Sequence, residues 1–185
     1  VTGVNNAMRE AAGWADEVLT SAAVAGLDPE TYQSWHYAAK LMDVEISDII
    51  TAQARLLKAM TSDSKDTQEL FNRLGVTTRT EAGNLRDLDD VFWDVVDAMS
   101  ATSDAHGDLM TDTRRDAVAQ ELFGKSASEL NPLILQLDEA ERRYNEALED
   151  GYVLNEGQVK ILGEVDDAHE HYAQTVQKNK DLIAV

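Results

Sequence analysis

The sequence predicts a mainly α, all-α fold: a compact domain of about seven helices, with a small β-hairpin near 76–86 and a long C-terminal helix. Three observations carry this expectation. Apolar residues recur at three- and four-residue spacing along most of the chain. Glycine, proline, Asp, Ser and Asn stand where such periodic stretches begin and end. Only one short stretch, from Val76 to Arg86, alternates β-branched residues in the manner of strands.

Met8, Ala11, Ala15, Val18, Leu19 and Ala22 form the apolar side of a first helix, and Gly26 stands at its C-terminal cap position. Asp28 is the predicted N-cap of a second helix with Pro29 at its first position, where a missing N–H loses no bond. Tyr32, Trp35, Ala39 and Met42 line that helix. A third runs from about Val44 to Met60, with Ile46, Ile49, Ala52, Leu56 and Met60 on one face. "TSDSKD" reads as a loop, and a short helix from Gln68 to Leu74 stops at Gly75.

In "GVTTRTEAGNLRD" the β-branched Val76, Thr77, Thr78 and Thr80, the "AGN" turn and the return at Leu85 and Arg86 predict the hairpin, which is too small to stand alone. Asp87 then caps a helix whose buried stripe is Leu88, Val91, Phe92, Val95 and Met99. Asp90, Asp94 and Asp97 are expected to face water, and Asp89 to sit in the first turn, where the helix dipole favours negative charge. "SATSDAHGD" reads as a flexible loop, and Thr113 to Phe123 as a helix closed by a left-handed Gly124.

Ser126 with Glu129 predicts a capping box restarting the chain as helix. Pro132 then falls inside that helix and is expected to kink it, at about 3 kcal/mol if unrelieved. The kink would let Leu130, Leu133 and Ile134 reach a shared core. "EAERRYNEALEDG" is helical and stops at Gly151, and Asn155 with Gln158 predicts another capping box before the last helix. There Leu162, Val165, His169, Tyr172, Val176, Asn179 and Ile183 form a weak coiled-coil-like seam, a surface for self-association.

The chain of 185 residues is read as a single helical domain, 1–185. Its sub-units are a helical hairpin region at 1–62, a hairpin-plus-helices motif at 67–134 and a C-terminal helical pair at 135–185. The start at Val1 gives the expectation of a fragment of a longer chain. A net charge of -19 and a pI near 4.4 oppose nucleic-acid binding and docking on anionic membranes. With 43% hydrophobic and 28% charged residues, the composition suits a folded domain better than an acidic tail. No apolar run reaches the roughly 20 residues of a membrane helix, and no signal peptide is visible.

Nothing in the residues calls for a cofactor, a metal or catalysis, so no enzyme is expected. There is no cysteine for a thiolate site. Paired carboxylates would suit glycoside hydrolysis, but the acidic clusters fall on outward helix positions where pKa shifts are small. His169 and His171 point away from each other on a helix, which is wrong for shared metal coordination. His36 is expected to be partly buried and His106 to lie in a loop. "DLDD" and "DSKDT" lack the central Gly and terminal Glu of a calcium loop. Trp14, Trp35 and Trp93 suit core or interface packing before a ligand pocket.

Four stretches, in order, resemble the tape measure proteins of long-tailed bacteriophages. They are "TYQSWHYAAKLMDVEISDIITAQARLLKAM" (Thr31 to Met60), "LGVTTRTEAGNLRDLDDVFWDVVDAM" (Leu74 to Met99), "RRDAVAQELFGKSASELNPLI" (Arg114 to Ile134) and "GYVLNEGQVKILGEVDDAHEHY" (Gly151 to Tyr172). The most diagnostic piece holds Leu122, Phe123, Gly124, Ser126, Glu129, Leu130, Asn131 and Pro132. Between Met99 and Arg114 the linker is longer than the family pattern. The resemblance implies a structural part of a phage tail, in a phage or prophage. Such a protein sets tail length as the tube assembles around it and leaves the tube at genome ejection. The implied partners are the tail tube protein, tail assembly chaperones and baseplate proteins. The implied places are the virion tail and, during assembly, the host cytoplasm. The alternative reading is a non-enzymatic helical interaction module or adaptor.

Overall fold

The computed structural model describes residues 2–101, 103–149 and 153–183, with side chains described from 9 to 165 outside those gaps and at a few positions beyond. Met8 as a core residue, the stop at Gly151, and the seam positions His169, Tyr172, Val176, Asn179 and Ile183 lie outside the described side chains. The fold is mainly helical. Among the described residues there are nine α-helices, against the seven expected: α1 Thr2–Ala25, α2 Pro29–Leu41, α3 Ile46–Met60, α4 Lys65–Leu74, α5 Leu88–Ser100, α6 Asp112–Phe123, α7 Asn131–Leu135, α8 Leu137–Glu149 and α9 Glu156–Ile183. A 3-10 turn, Gly124–Ala127, follows α6.

Several of the predicted end signals form as physical contacts. Asp28 accepts hydrogen bonds from the backbone N–H of Glu30 and of Thr31, each at 3.0 Å. These bonds and the Thr31 hydroxyl outweigh the partial burial that pushes its carboxyl up, so its pKa lies below the ordinary value. Asn155 and Gln158 make both halves of their capping box, at 2.9 and 3.0 Å. At the end of α4, Gly75 is left-handed at φ 74, and the N–H groups of Gly75 and Val76 close on the carbonyls of Asn72 and Phe71.

The hairpin near 76–86 shrinks to one antiparallel bridge, Arg79 with Leu85, and no strand is present among the described residues. A second bridge, Ser103 with Leu109, turns the stretch expected as a flexible loop into an ordered copy of the first. In both, a residue four before the second arm donates across the turn at 2.8 Å, Thr80 to Asn84 and Asp104 to Asp108. In both, a positive-φ glycine closes back at 2.9 Å, Gly83 on Thr80 and Gly107 on Asp104. Each copy leads into a capped helix, Asp87 before α5 and Thr111 before α6.

Two compact units emerge. The first joins the two ends, Val1–Ser34 with Asn145–Val185, and the second is Trp35–Tyr144, so both boundaries fall inside helices, α2 and α8. In the first unit α1 packs along α9 through small side chains. Ala12, Ala15, Val18 and Ala22 are buried with Val159, and Gly163 lies under Leu19. The buried Gln33 amide clasps the backbone of Leu154 through both its nitrogen and its oxygen, at 2.9 and 3.0 Å, so two segments far apart in sequence are held together. In the second unit α3 packs on α5, α6 and the 3-10 turn, while α7 and α4 pack on α5. Its core is Trp35, Phe92 and Phe123 with Ile49, Leu56 and Met99, all fully buried.

Candidate functional site

The second unit contains the Leu122–Pro132 corner and a carboxylate junction centred on α5. The corner starts where α6 delivers Leu122 and Phe123 into the core, with the Phe123 ring 5.4 Å from Phe92. Gly124 then adopts φ 68 and ψ -133. That is outside the left-handed helical cap expected for it, in a region open essentially to glycine alone. A Cβ there would also stand 2.6 Å from the Arg55 Cζ, so the guanidinium lies over the bare glycine.

The Ser126–Glu129 capping box does not form. Ser126 is already inside the 3-10 turn, so it lacks the extended backbone an N-cap needs, and its carbonyl accepts the N–H groups of Glu129 and Leu130. Its buried hydroxyl instead donates to the Asp48 carboxylate at 3.2 Å, fastening the turn to α3. Glu129 is exposed and takes the Ser128 hydroxyl. Pro132 does not kink a helix begun at Ser126, because the helix restarts at Asn131 and leaves Pro132 in the first turn. Asn131 and Pro132 are half-buried, while Leu130, Leu133 and Ile134 are fully buried. The chain bends again at Gln136, at φ -127 and ψ 44, before α8.

The junction centres on Asp89. Its carboxylate accepts the Trp35 indole N–H at 3.1 Å from α2, the Gln53 amide at 2.7 Å from α3 and the Tyr144 hydroxyl at 2.8 Å from α8. The rings close around it: Trp35 stacks on Trp93 at 4.8 Å and meets Tyr144 at 4.8 Å. Burial pushes the Asp89 carboxyl above the usual aspartate range. Hydrogen bonds from Tyr144, Trp35 and Gln53 offset part of that rise, and the neighbouring Asp87 charge adds to it. Asp89 is thus an exception to the outward, unshifted acidic face expected from the sequence. The signal was present, since Asp89, Phe92, Val96 and Met99 share one helical face.

A second inward carboxylate, Asp104, organises the second turn. It accepts the N–H groups of His106 and Asp108 at 3.0 and 2.9 Å and pairs with Arg114. Some desolvation acts upward, but the two backbone bonds and the arginine hold its carboxyl below the ordinary range. The turn docks on α4 through the Ala105 N–H and the Arg73 carbonyl at 3.0 Å, and Arg115 reaches the Met99 carbonyl at 2.7 Å.

The remaining candidates have other surroundings. His36, expected to be partly buried, is exposed, as are His106 and His171. Among the described residues no group of His, Asp or Glu is arranged to hold a metal ion. No described helix is long and apolar enough to cross a membrane. A groove of about 450 Å³ lies between the end of α3 and α4, floored by Met60, Phe71 and Val76 and edged by Asp63 and Arg79. What the corner and the junction do chemically is to join helices. Comparison with protein families, with curated proteins and with solved structures finds no match for this chain.

Proposed function

We propose that this chain is a segment of a tape measure protein of a long-tailed bacteriophage, a structural tail component acting through its dimensions and contacts. The observation that carries the reading is the ordered set of four motifs, of which "LFGKSASELNPLI" is the most diagnostic piece. The residues of that motif are used for burial, a glycine-only backbone and a tie to α3, which fits a part that shapes a chain. The proposed partners are the tail tube protein, assembly chaperones and baseplate proteins, in the host cytoplasm during assembly and in the virion tail afterwards. The net charge of -19 suits a protein that shares a tube with DNA without holding it.

As one continuous helix the segment would span roughly 280 Å, at 1.5 Å per residue. The folded units therefore have to open in the tail or lie outside the measuring part. In-frame deletion from the parent gene, followed by electron microscopy of tails, tests the reading. Tails shortened by up to roughly 280 Å place the segment in the ruler. Unchanged length with failed assembly places it in docking, and normal tails in normal yield refute the proposal.

A helical adaptor is the second reading, favoured by the exposure of Ile161 and Val165, one turn apart on α9. A short stand-alone reading frame away from tail genes would support it over the ruler.

A further inference from the structure

We propose that the free edge of the first turn docks an extended peptide from another protein, an aliphatic residue between two cationic ones, which adds a strand beside Thr77 and Arg79. The proposal does not rest on the tail reading, and either can fail without the other.

The backbone identifies the ligand. In the Arg79–Leu85 bridge the cross-turn bonds belong to the flanking residues. Thr80 donates to the Asn84 carbonyl at 2.8 Å and Arg86 to the Thr78 carbonyl at 3.0 Å. Arg79 therefore holds a non-hydrogen-bonded position, with its own N–H and C=O turned away from the second arm. By alternation the same holds for Thr77, two residues earlier. Among the described residues the N–H groups of Thr77 and Arg79 and the Arg79 carbonyl have no partner. The Thr77 carbonyl takes the Arg86 guanidinium at 2.9 Å and keeps one lone pair. Such a row of main-chain donors and acceptors is a template for another extended chain.

The groove beside α4 supplies the rest. Its wall takes in Val76, Thr77, Thr78 and Arg79 but no residue of the second arm, so it runs along the free edge. Its volume of about 450 Å³ falls within the roughly 300–1,000 Å³ of ligand pockets. The floor residues Met60, Phe71 and Val76 are buried parts of the fold, so the surface is already formed. The second copy of the turn is docked on α4 through the Ala105 N–H, while the first meets α4 across this open groove.

Alternation and charge then specify the peptide. Buried Val76 and half-buried Thr78 face inward, while Thr77 and Arg79 are exposed. A peptide residue opposite Arg79 exchanges both main-chain bonds with it, and the residue two further on does so with Thr77. The residue between them lies opposite Thr78, with its side chain over the apolar floor. That position takes an aliphatic side chain, and its two neighbours face water. A net charge of -19 draws cationic neighbours and opposes a second copy of this chain as the occupant. Arg79 does not block the approach, because its guanidinium donates to the Gly83 carbonyl at 3.1 Å.

The test uses the full chain and the acetylated, amidated pentapeptide Thr-Lys-Val-Lys-Thr, followed by amide NMR. Saturable shifts of the Thr77 and Arg79 amide resonances are expected at millimolar peptide. Methylating the main-chain nitrogen of the first lysine removes the donor to the Arg79 carbonyl and is expected to weaken binding about tenfold. On the protein, Arg79→Pro removes the outward N–H, leaves both cross-turn bonds in place and is expected to weaken binding about as much. Arg79→Ala keeps the N–H and is expected to keep the binding. The proposal is overturned if neither amide shifts by about 10 mM peptide, a concentration at which even millimolar affinity saturates. It is also overturned if the methylated peptide binds as well as the parent one, which would reduce the contact to a dication on an acidic surface. Loss of binding in Arg79→Ala, or sedimentation showing the edge closed by a second copy, overturns it too. Should Arg79→Pro not fold, the pair of peptides on the parent protein decides alone.

Discussion

At the scale of single residues, the glycine of the corner is over-determined, by backbone angles and by Arg55 lying across it. The two causes can be separated. Gly124→Ala is expected to destabilise by about 1–3 kcal/mol in chemical denaturation, because φ 68 with ψ -133 is hostile to a Cβ. Arg55 is exposed and can swing away, so adding Arg55→Ala to that variant should restore little. Asp104 carries a pH dependence. Its folded-state pKa is depressed, so its stabilising contribution exists above 3.8 and is lost as pH falls through the folded value. Asp104→Asn should therefore lower Tm at pH 7, with the difference from the parent vanishing in strong acid.

Residues also show where sequence reading stops. A glycine after Phe123 announces a break, yet the backbone region it adopts depends on how the 3-10 turn is fastened to Asp48. Ser126 and Glu129 have capping-box spacing, but spacing cannot reveal that a distant carboxylate claims the hydroxyl. Asp89 was placed correctly in the first turn of its helix. Its partners come from positions 36 to 55 residues away, which periodicity cannot pair.

At the scale of elements, short-range chemistry was the most legible. Asp28, Gly75, Asp87 and Asn155 end or start helices where the sequence said they would, since capping involves residues only two to four apart. Helix α4 starts three residues earlier than expected because Ser64, inside the supposed loop, caps it. The duplicated turn went unread, although Gly83–Leu85–Asp87 and Gly107–Leu109–Thr111 share one spacing. Composition hid it: the first copy has β-branched residues that resemble strand, and the second has polar ones that resemble loop. Pro132 yields an element-scale prediction. At the start of α7, Pro132→Ala should change stability by less than about 0.5 kcal/mol, against about 3 kcal/mol for a proline inside a helix. Thermal melts of the two proteins decide between those values.

At the scale of the whole molecule, the charge dominates. The ion pairs are mostly exposed and individually weak, such as Lys160 with Glu156 and Arg142 with Glu139, each within one helix. Self-repulsion from a net charge of -19 is expected to outweigh their sum. Raising sodium chloride from about 20 mM to about 0.5 M shortens the screening length to a few ångström and should raise Tm. A protein held chiefly by surface ion pairs would melt lower instead.

By itself the sequence determined the helical class, most of the caps and most of the buried stripes, because each depends on neighbours within one or two turns. Only the tertiary structure decided that the two chain ends cluster in one unit, that Ser126 serves α3, and that one acidic residue of α5 turns inward among aromatic rings. Those outcomes depend on which distant surfaces meet. Free energy of that kind resides in shared burial and long-range hydrogen bonds, which no local pattern of residues encodes.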